Sequence, residues 1–158
     1  MKIIIGIDPG YDRLGIAVIE KPPKGKEIVT YSDCFKTPTK NSIYDRFGAI
    51  GTEIARVIEQ FKPGALAIET LFITKNQKTA MRVGEARGII LYEAIRHNIP
   101  VYEYTPMQIK VAVTSDGTSD KERVIKMVRI LVSLPDKKTV DDEYDAIAVA
   151  LTHCAYVK

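Results

Sequence analysis

Apolar residues in the first part of the chain occur in short continuous runs, which predict buried β-strands. Residues 2–8 form an almost unbroken β-branched run, as in a strand that is covered on both faces. Pro9-Gly10 ends this run, and two further strands are predicted over residues 14–19 and 27–35. Three strands so close together along the chain predict an antiparallel meander.

After residue 40 the apolar positions change to a helical period. Asn41 or Ser42 is predicted to cap a helix whose apolar residues recur every three or four positions, and Lys62-Pro63-Gly64 ends it. Strands and helices then alternate, in this order: a strand over 65–69, a helix over 78–97, a strand over 101–104 and a short helix after Pro106.

Two capping signatures predict the last two helices. Ser119 with Glu122 three residues later is typical of a capping box that opens an amphipathic helix. Thr139 with Asp142 repeats the signature before a final helix, which is predicted to end near Tyr156. The order of elements predicts an α/β fold: a mixed five-stranded sheet, with three antiparallel strands and then parallel crossovers, flanked by helices on both faces.

Length and composition indicate one domain over residues 1–158. Apolar residues make up 46% and charged residues 27% of the chain, which disfavours disorder and coiled coil. The chain has no apolar run near the ~20 residues of a membrane span. Cys34 and Cys154 form neither a disulfide framework nor a Cys-x-x-Cys motif. We therefore expect a cytoplasmic protein without membrane contact.

Charge is distributed unevenly along the chain. Residues 72–138 hold twelve Lys/Arg against seven Asp/Glu, whereas residues 139–158 hold one Lys against four acidic residues. The overall formal charge is only +3, so the distribution is more informative than the total. From charge alone, the basic middle segment is either a solvated helix face or a surface for a polyanion.

Four carboxylates stand at positions where an acidic residue is unexpected. Asp8 and Glu69 end two apolar strands, and Asp142 and Asp145 share one face at the start of the last helix. Singly, each has a structural explanation as a turn cap, a strand-end surface residue or a partner of the helix dipole. Together they can converge, and such a cluster calls for hard divalent cations such as Mg²⁺ or Mn²⁺ rather than zinc.

Five stretches of the sequence match a known family in collinear order. They are GIDPG (6–10), AIETLFITKN (67–76), VGEARG (83–88), MQIKVAVTSDGTSDKERV (107–124) and DEYDAIAVALTHC (142–154). In these stretches the chain resembles the RuvC-type Holliday junction resolvases, and the resemblance covers essentially its whole length.

The resemblance implies a ribonuclease-H-like fold and a homodimeric endonuclease acting on four-way junction DNA. Such an enzyme nicks two opposed strands and leaves 5′-phosphate and 3′-hydroxyl ends. Two Mg²⁺ ions per subunit are implied, with Mn²⁺ as a substitute, and a RuvAB-type branch-migration motor is left open as a partner. The family's catalytic and metal-binding tetrad falls on Asp8, Glu69, Asp142 and Asp145.

Further DNA-binding residues follow from the same resemblance. The aromatic residue of the family falls on Phe72, where base stacking and core packing are both open, and its two lysines near the site fall on Lys110 and Lys121. Lys121 is also expected to neutralise charge on the scissile phosphate. The neighbouring residues expected to contact DNA are Lys75, Asn76 and Lys78.

The chain departs from the family pattern in two segments that are expected to face DNA. One is Thr114-Ser115-Asp116-Gly117, where a serine replaces a common glycine and an acidic residue is added. The other is the turn Tyr11-Asp12-Arg13. Asp141 also competes with Asp142 as the ligand, although the spacing of three to Asp145 favours Asp142.

Gly84 and Gly88 are spaced by four residues on the helix predicted over 78–97. They either reduce side-chain bulk inside a core or let two helices approach across a dimer. From the spacing alone both explanations stand.

Features of the sequence disfavour three alternative functions. Another ribonuclease-H-like nuclease, RuvX-like or specific for RNA–DNA hybrids, is disfavoured by the 72–76 segment and the paired lysines. An ATPase of the actin and sugar-kinase type needs a second domain, which 158 residues do not hold. A non-catalytic junction-binding protein is disfavoured by the four intact carboxylates.

Overall fold

The computed structural model describes residues 2–71 and 77–157. The strands in these ranges are β1 (Lys2–Asp8), β2 (Arg13–Lys21), β3 (Glu27–Lys36), β4 (Ala65–Glu69), β5 (Val101–Tyr104) and β6 (Val132–Ser133). The helices are α1 (Ile43–Phe61), α2 (Gln77–Arg96), α3 (Pro106–Thr114), α4 (Lys121–Leu131) and α5 (Asp141–Tyr156). None of these helices is long and apolar enough to cross a membrane.

The strands form one mixed sheet in the order β5-β4-β1-β2-β3-β6, and this confirms the predicted α/β architecture. Strands β1, β2 and β3 pair antiparallel, whereas β4 pairs parallel with β1 and β5 pairs parallel with β4. The sixth strand was not predicted. It consists of Val132 and Ser133 beside the start of β3, and two residues are too few to show a strand pattern.

The two faces of the sheet carry side chains of different size. On one face, Ile5, Ile7 and their neighbours on β2 and β4 pack against α1 and α2. On the other face, Ala67, Gly6 and Ala17 stand side by side across β4, β1 and β2. This row of small residues lets α5 lie close to the sheet, and a Cβ atom at Gly6 would stand 2.7 Å from the Cβ of Ala150.

The structure confirms one of the predicted helix caps and corrects another. Ser42 caps α1, as one of the two predicted options, and accepts from the backbone N–H of Asp45 at 3.1 Å. Helix α4 is capped by Asp120 rather than Ser119, because the Ser119 hydroxyl is buried in a 2.7 Å hydrogen bond with Thr114.

The predicted capping box at the start of α5 is wrong. Helix α5 begins after Val140, and no side chain caps it. Thr139 therefore does not act as the cap. The carboxylates in the first turn of this helix are available for other contacts.

Candidate active site

Asp8 and Glu69 end the adjacent parallel strands β1 and β4, so their side chains lie at the same edge of the sheet. Burial, together with the negative charges of Glu69, Asp145 and Asp142, raises the pKa of Asp8 to about 8. Burial also raises the pKa of Glu69 to about 7, with a contribution from the charge of Asp145. The predicted convergence of strand-end carboxylates is therefore present.

Helix α5 brings the other two carboxylates to this edge. Gly15 pairs with Asp8 across β1 and β2, and a Cβ atom at Gly15 would collide with the backbone carbonyl of Asp142. The bare Gly15 backbone therefore allows the first turn of α5 to rest directly on the strand that flanks Asp8. Asp145, one turn further along the helix, contributes to the raised pKa of both Asp8 and Glu69.

Two basic side chains pair with the carboxylates of α5. The Arg13 guanidinium donates from Nε to both carboxylate oxygens of Asp142, at 3.3 and 3.1 Å, and from Nη2 to one of them. Lys121 Nζ donates to Asp145 Oδ2 at 3.0 Å and lies 3.6 Å from Asp141 Oδ2. The Arg13 hydrogen bond lowers the pKa of Asp142, whereas burial of Asp145 outweighs Lys121 and raises the pKa of Asp145.

The geometry distinguishes Asp142 from its neighbour Asp141. Asp142 is one of the charges that raise the pKa of Asp8, and Asp141 is not among them. Two-thirds of the Asp141 side chain is exposed, against a fifth of the Asp142 side chain. Asp142 therefore faces the cluster, and Asp141 lies at its rim.

The four carboxylates supply the oxygen donors that Mg²⁺ and Mn²⁺ prefer, but they are not arranged as a closed metal site. Within residues 2–71 and 77–157, no three Asp, Glu, His or Cys side chains are grouped closely enough to hold a metal ion. Like charges repel one another, and here Arg13 engages Asp142 while Lys121 engages Asp145. A divalent cation would relieve the repulsion that raises the pKa of Asp8, so the donor chemistry fits such an ion.

A cleft of about 250 Å³ adjoins the cluster. It is lined on its polar side by Glu69, Asp145, Lys110 and Lys121, and on its apolar side by residues of α3, α4 and α5. The two predicted lysines thus lie beside two of the four carboxylates. This combination of acidic and basic groups can hold a phosphate between bound cations and lysine ammonium groups.

The remaining predicted DNA contacts lie elsewhere. Lys78 is exposed in the first turn of α2, the helix that follows the segment after Glu69. Phe72, Lys75 and Asn76 lie outside the described residues, so their predicted roles stay predictions.

The turn after β1 is held by a buried arginine that the sequence pattern had not singled out. Arg46 of α1 is only 7% exposed. It donates to Thr37 Oγ1 at 2.8 Å and to the Tyr11 carbonyl at 3.2 Å, and it pairs with Asp12. The sequence does contain an indication of this role, because Arg46 is a charged residue on the apolar face of α1.

The unusual segment at the end of α3 is a capping turn. Ser115 caps the helix with a φ of 62°, a left-handed conformation that explains why glycine suits this position. The Asp116 carboxylate accepts from the Thr118 N–H at 2.9 Å and from Arg123 at 3.1 Å. The added acidic residue is therefore paired with residues close to it along the chain.

Comparison with known proteins shows the family of this chain. The family model described as crossover junction endodeoxyribonuclease RuvC matches residues 4–153. The crossover junction endodeoxyribonuclease RuvC of Thermosipho melanesiensis is 46% identical over 93% of this chain and 93% of its own length. The protein of that name from Pseudothermotoga lettingae is 41% identical over 97% of this chain and 94% of its own length.

A solved structure shows the same architecture. Thermus thermophilus RuvC in complex with Holliday junction substrate superposes with a TM-score of 0.92 and 34% identity, over 99% of this chain and 94% of that one. The match of the family model, the identity to relatives and the fold all point to one conclusion. This chain belongs to the RuvC family of crossover junction endodeoxyribonucleases.

Proposed function

We propose that this crossover junction endodeoxyribonuclease resolves four-way DNA junctions with a metal site formed by Asp8, Glu69, Asp142 and Asp145. The observation that carries the proposal is the meeting of carboxylates from β1, β4 and α5 at one edge of the sheet, beside a cleft lined by Lys110 and Lys121. The substrate follows from family membership, since the Thermus thermophilus relative was solved with a Holliday junction substrate.

Two Mg²⁺ ions per subunit are the proposed cofactor, with Mn²⁺ as a substitute. RuvC nucleases depend on metal, and the all-oxygen donor set of this site suits hard divalent cations. Held by these carboxylates, such ions would supply an activated water and would stabilise the charge on the leaving 3′ oxygen. The burial of Asp8 and Glu69 places their carboxylates in surroundings that favour a strong interaction with a cation.

The basic side chains have separate proposed roles. Lys121 is held over the site by Asp145 and Asp141, and it stabilises negative charge on the scissile phosphate. Lys110 binds the phosphate backbone along the cleft. Lys78 extends the DNA contact at the start of α2. Phe72, Lys75 and Asn76 are proposed as further DNA-binding residues from the family resemblance alone.

A homodimer is proposed because resolution needs two symmetric nicks, each leaving a 5′-phosphate and a 3′-hydroxyl. The outer face of α2 is the proposed seam. Met81, Tyr92 and Ile95 are each more than 60% exposed on this helix, and a Cβ atom at Gly88 would meet no atom within 4 Å. An exposed apolar face of this kind marks an interaction surface.

Two further aspects of the proposal rest on the family alone. A RuvAB-type branch-migration motor is the proposed partner on the junction. The proposed location is the cytoplasm, where such DNA would be encountered.

The substrate class is tested by incubating the protein with a labelled four-way junction, a linear duplex and an RNA–DNA hybrid, each with Mg²⁺. We expect paired nicks in opposed strands of the junction, and these nicks should be sealed by DNA ligase. Cleavage of the hybrid in preference to the junction would contradict the proposal and would favour a hybrid nuclease of the same fold.

A further inference from the structure

Arg13 contacts a carboxylate of the proposed metal site in a forked geometry. Its Nε donates to Asp142 Oδ1 at 3.3 Å and to Oδ2 at 3.1 Å, while Nη2 also donates to Oδ2. Both oxygens of the carboxylate are therefore engaged by one guanidinium. The guanidinium and a divalent cation would both bind through these carboxylate oxygens, so they compete for Asp142.

The backbone around this contact is held on both sides. Gly15 supports the Asp142 backbone, since a Cβ atom there would collide with the Asp142 carbonyl. On the other side, Arg46 binds the Tyr11 carbonyl and the Asp12 carboxylate in the turn that precedes Arg13. The Arg46 guanidinium also lies 5.0 Å from the centre of the Tyr11 ring. The turn is thus fixed so that β2 begins with Arg13 facing α5.

In the contact between Arg13 and Asp142 the backbone is held in place, but the Arg13 side chain is free to rotate away. The Arg13 side chain is 50% exposed, and its guanidinium donates to Asp142 beside the Cys34 thiol. Rotation of the Arg13 side chain would release Asp142 without moving β2 or α5. Water would then hydrate the released guanidinium.

We propose that Arg13 is a built-in cation that substitutes for the metal ion at Asp142 and that metal binding displaces it. This inference rests on the proposed metal site. Arg13 lowers the affinity of the site for metal, because part of the free energy of metal binding is used to break the ion pair between Arg13 and Asp142. Arg13 is therefore a positioning residue: it holds Asp142 in place while no metal is bound, and it sets the metal concentration at which the site fills.

The test is a titration of the full-length protein with Mn²⁺ in the absence of DNA, with free Mn²⁺ followed by electron paramagnetic resonance. Arg13→Gln is expected to bind Mn²⁺ about three- to five-fold more tightly than the wild type, the range that follows from the strength of a well-formed exposed ion pair. Arg13→Lys keeps the charge but loses the fork, so its affinity should lie between the two.

Lys36→Gln is the matched control. Lys36 lies opposite Arg13 in the pairing of β2 and β3 and is exposed, so the control removes a nearby positive charge that does not bind Asp142. The change in Mn²⁺ affinity caused by Lys36→Gln measures the effect of removing any nearby positive charge. This change should be clearly smaller than the change caused by Arg13→Gln. Far-ultraviolet circular dichroism confirms that each variant is folded.

Two outcomes would overturn the inference, and they separate it from the proposed function. If the wild type binds Mn²⁺ but Arg13→Gln binds it no more tightly than Lys36→Gln, Arg13 does not compete with metal and the metal site stands. If the wild type binds no Mn²⁺, the metal site itself is wrong and the inference falls with it.

Discussion

Asp8 shows how the fold holds a charged group in unfavourable surroundings. It is the last residue of the apolar strand β1 in the middle of the sheet, and its pKa is raised from 3.8 to about 8 by burial and by three neighbouring carboxylates. An acid with a raised pKa in the folded state stabilises the fold while it is protonated. That stability is lost as the pH rises from the unfolded pKa through the folded one.

The first prediction is therefore a pH-dependent gain in stability on replacing Asp8→Asn. Without metal, the variant should melt a few degrees above the wild type at pH 8 to 9, with the difference shrinking towards pH 4. Thermal melts between these pH values in EDTA measure it. Asp136→Asn, at an exposed position, is the control and should leave the curve unchanged. A constant difference between Asp8→Asn and wild type across this range would contradict the argument.

Gly15 carries the second prediction at the scale of single residues. A methyl group there would collide with the Asp142 carbonyl and lie 3.1 Å from the Cβ of Asp8, so Gly15→Ala must move α5 away from the sheet. We expect a loss of about 1–3 kcal/mol in the free energy of unfolding, as for other overpacked sites, together with a loss of junction cutting.

Gly48→Ala is the control for that substitution. Gly48 lies within α1, and a Cβ atom there meets no atom within 4 Å. The same change should therefore stabilise the protein by up to about 1 kcal/mol through helix propensity. Urea unfolding measures both variants. A Gly15→Ala protein that is as stable and active as wild type would show that α5 does not rest on β2 in the way described.

At the scale of elements, the row Ala67, Gly6 and Ala17 explains why the active site forms where it does. These small residues let α5 cross the sheet closely, and its first turn then reaches the carboxyl ends of β1 and β4. The alternation of large and small residues on β1 was visible in the sequence as Ile-Gly-Ile. The partner helix of the small face was not, because it lies more than 130 residues away along the chain.

The third prediction concerns α2 as the dimer seam. Gly88→Leu should leave the monomer fold intact, because the new side chain points to open space, but it should block close approach of a second α2. We expect monomers in sedimentation experiments. Lys126→Leu adds the same side chain on an exposed position of α4 and should leave the dimer unchanged. A fully dimeric Gly88→Leu protein would place the seam elsewhere.

The surroundings of the glycine pair separate its two explanations. Gly88 is exposed, and a Cβ atom placed on it would have no neighbouring atom within 4 Å, so this glycine does not reduce bulk in a core. At Gly84 a Cβ atom would make only an ordinary 3.8 Å contact with Leu71. For Gly88 we therefore propose the other explanation, approach of two helices across the proposed dimer.

At the scale of the whole molecule, the formal net charge of +3 hides an uneven distribution of basic and acidic residues. The twelve basic residues of segment 72–138 include the cleft lysines and Lys78, whereas the acidic start of α5 belongs to the site itself. A surface of this kind binds a polyanion chiefly through phosphate contacts, so its affinity should fall steeply with salt.

The fourth prediction is that Lys78→Ala lowers the salt dependence of junction binding. The slope of log affinity against log salt should fall by about 0.9, the contribution of one phosphate contact on duplex DNA. Binding is measured in Ca²⁺ to prevent cutting. The control is Lys24→Ala, in the exposed loop between β2 and β3 at the end of the sheet opposite to Asp8. An unchanged slope for Lys78→Ala would show that this lysine makes no phosphate contact and belongs to a solvated helix face.

Much of the molecule was predictable from local patterns. The five longer strands, the five helices and the convergence of Asp8 with Glu69 follow from apolar runs and from the rule that parallel strands end at one edge. The cap at Ser119 was wrong because its hydroxyl is used in a hydrogen bond with Thr114, and the cap at Thr139 was wrong because α5 begins after Val140 without a side-chain cap. The role of Arg13 was not predictable, since it depends on a partner on α5 that only the fold brings near.

The metal site proposed for the four carboxylates makes the cutting of junction DNA depend on each of them. The most direct measurement compares wild type and Asp145→Asn for nicking of a labelled four-way junction in Mg²⁺, with binding followed in Ca²⁺ by gel shift. We predict that Asp145→Asn binds the junction as the wild type does and does not cut it, and that EDTA abolishes cutting by the wild type. Cutting by wild type in EDTA, or by Asp145→Asn at the wild-type rate, would contradict the account.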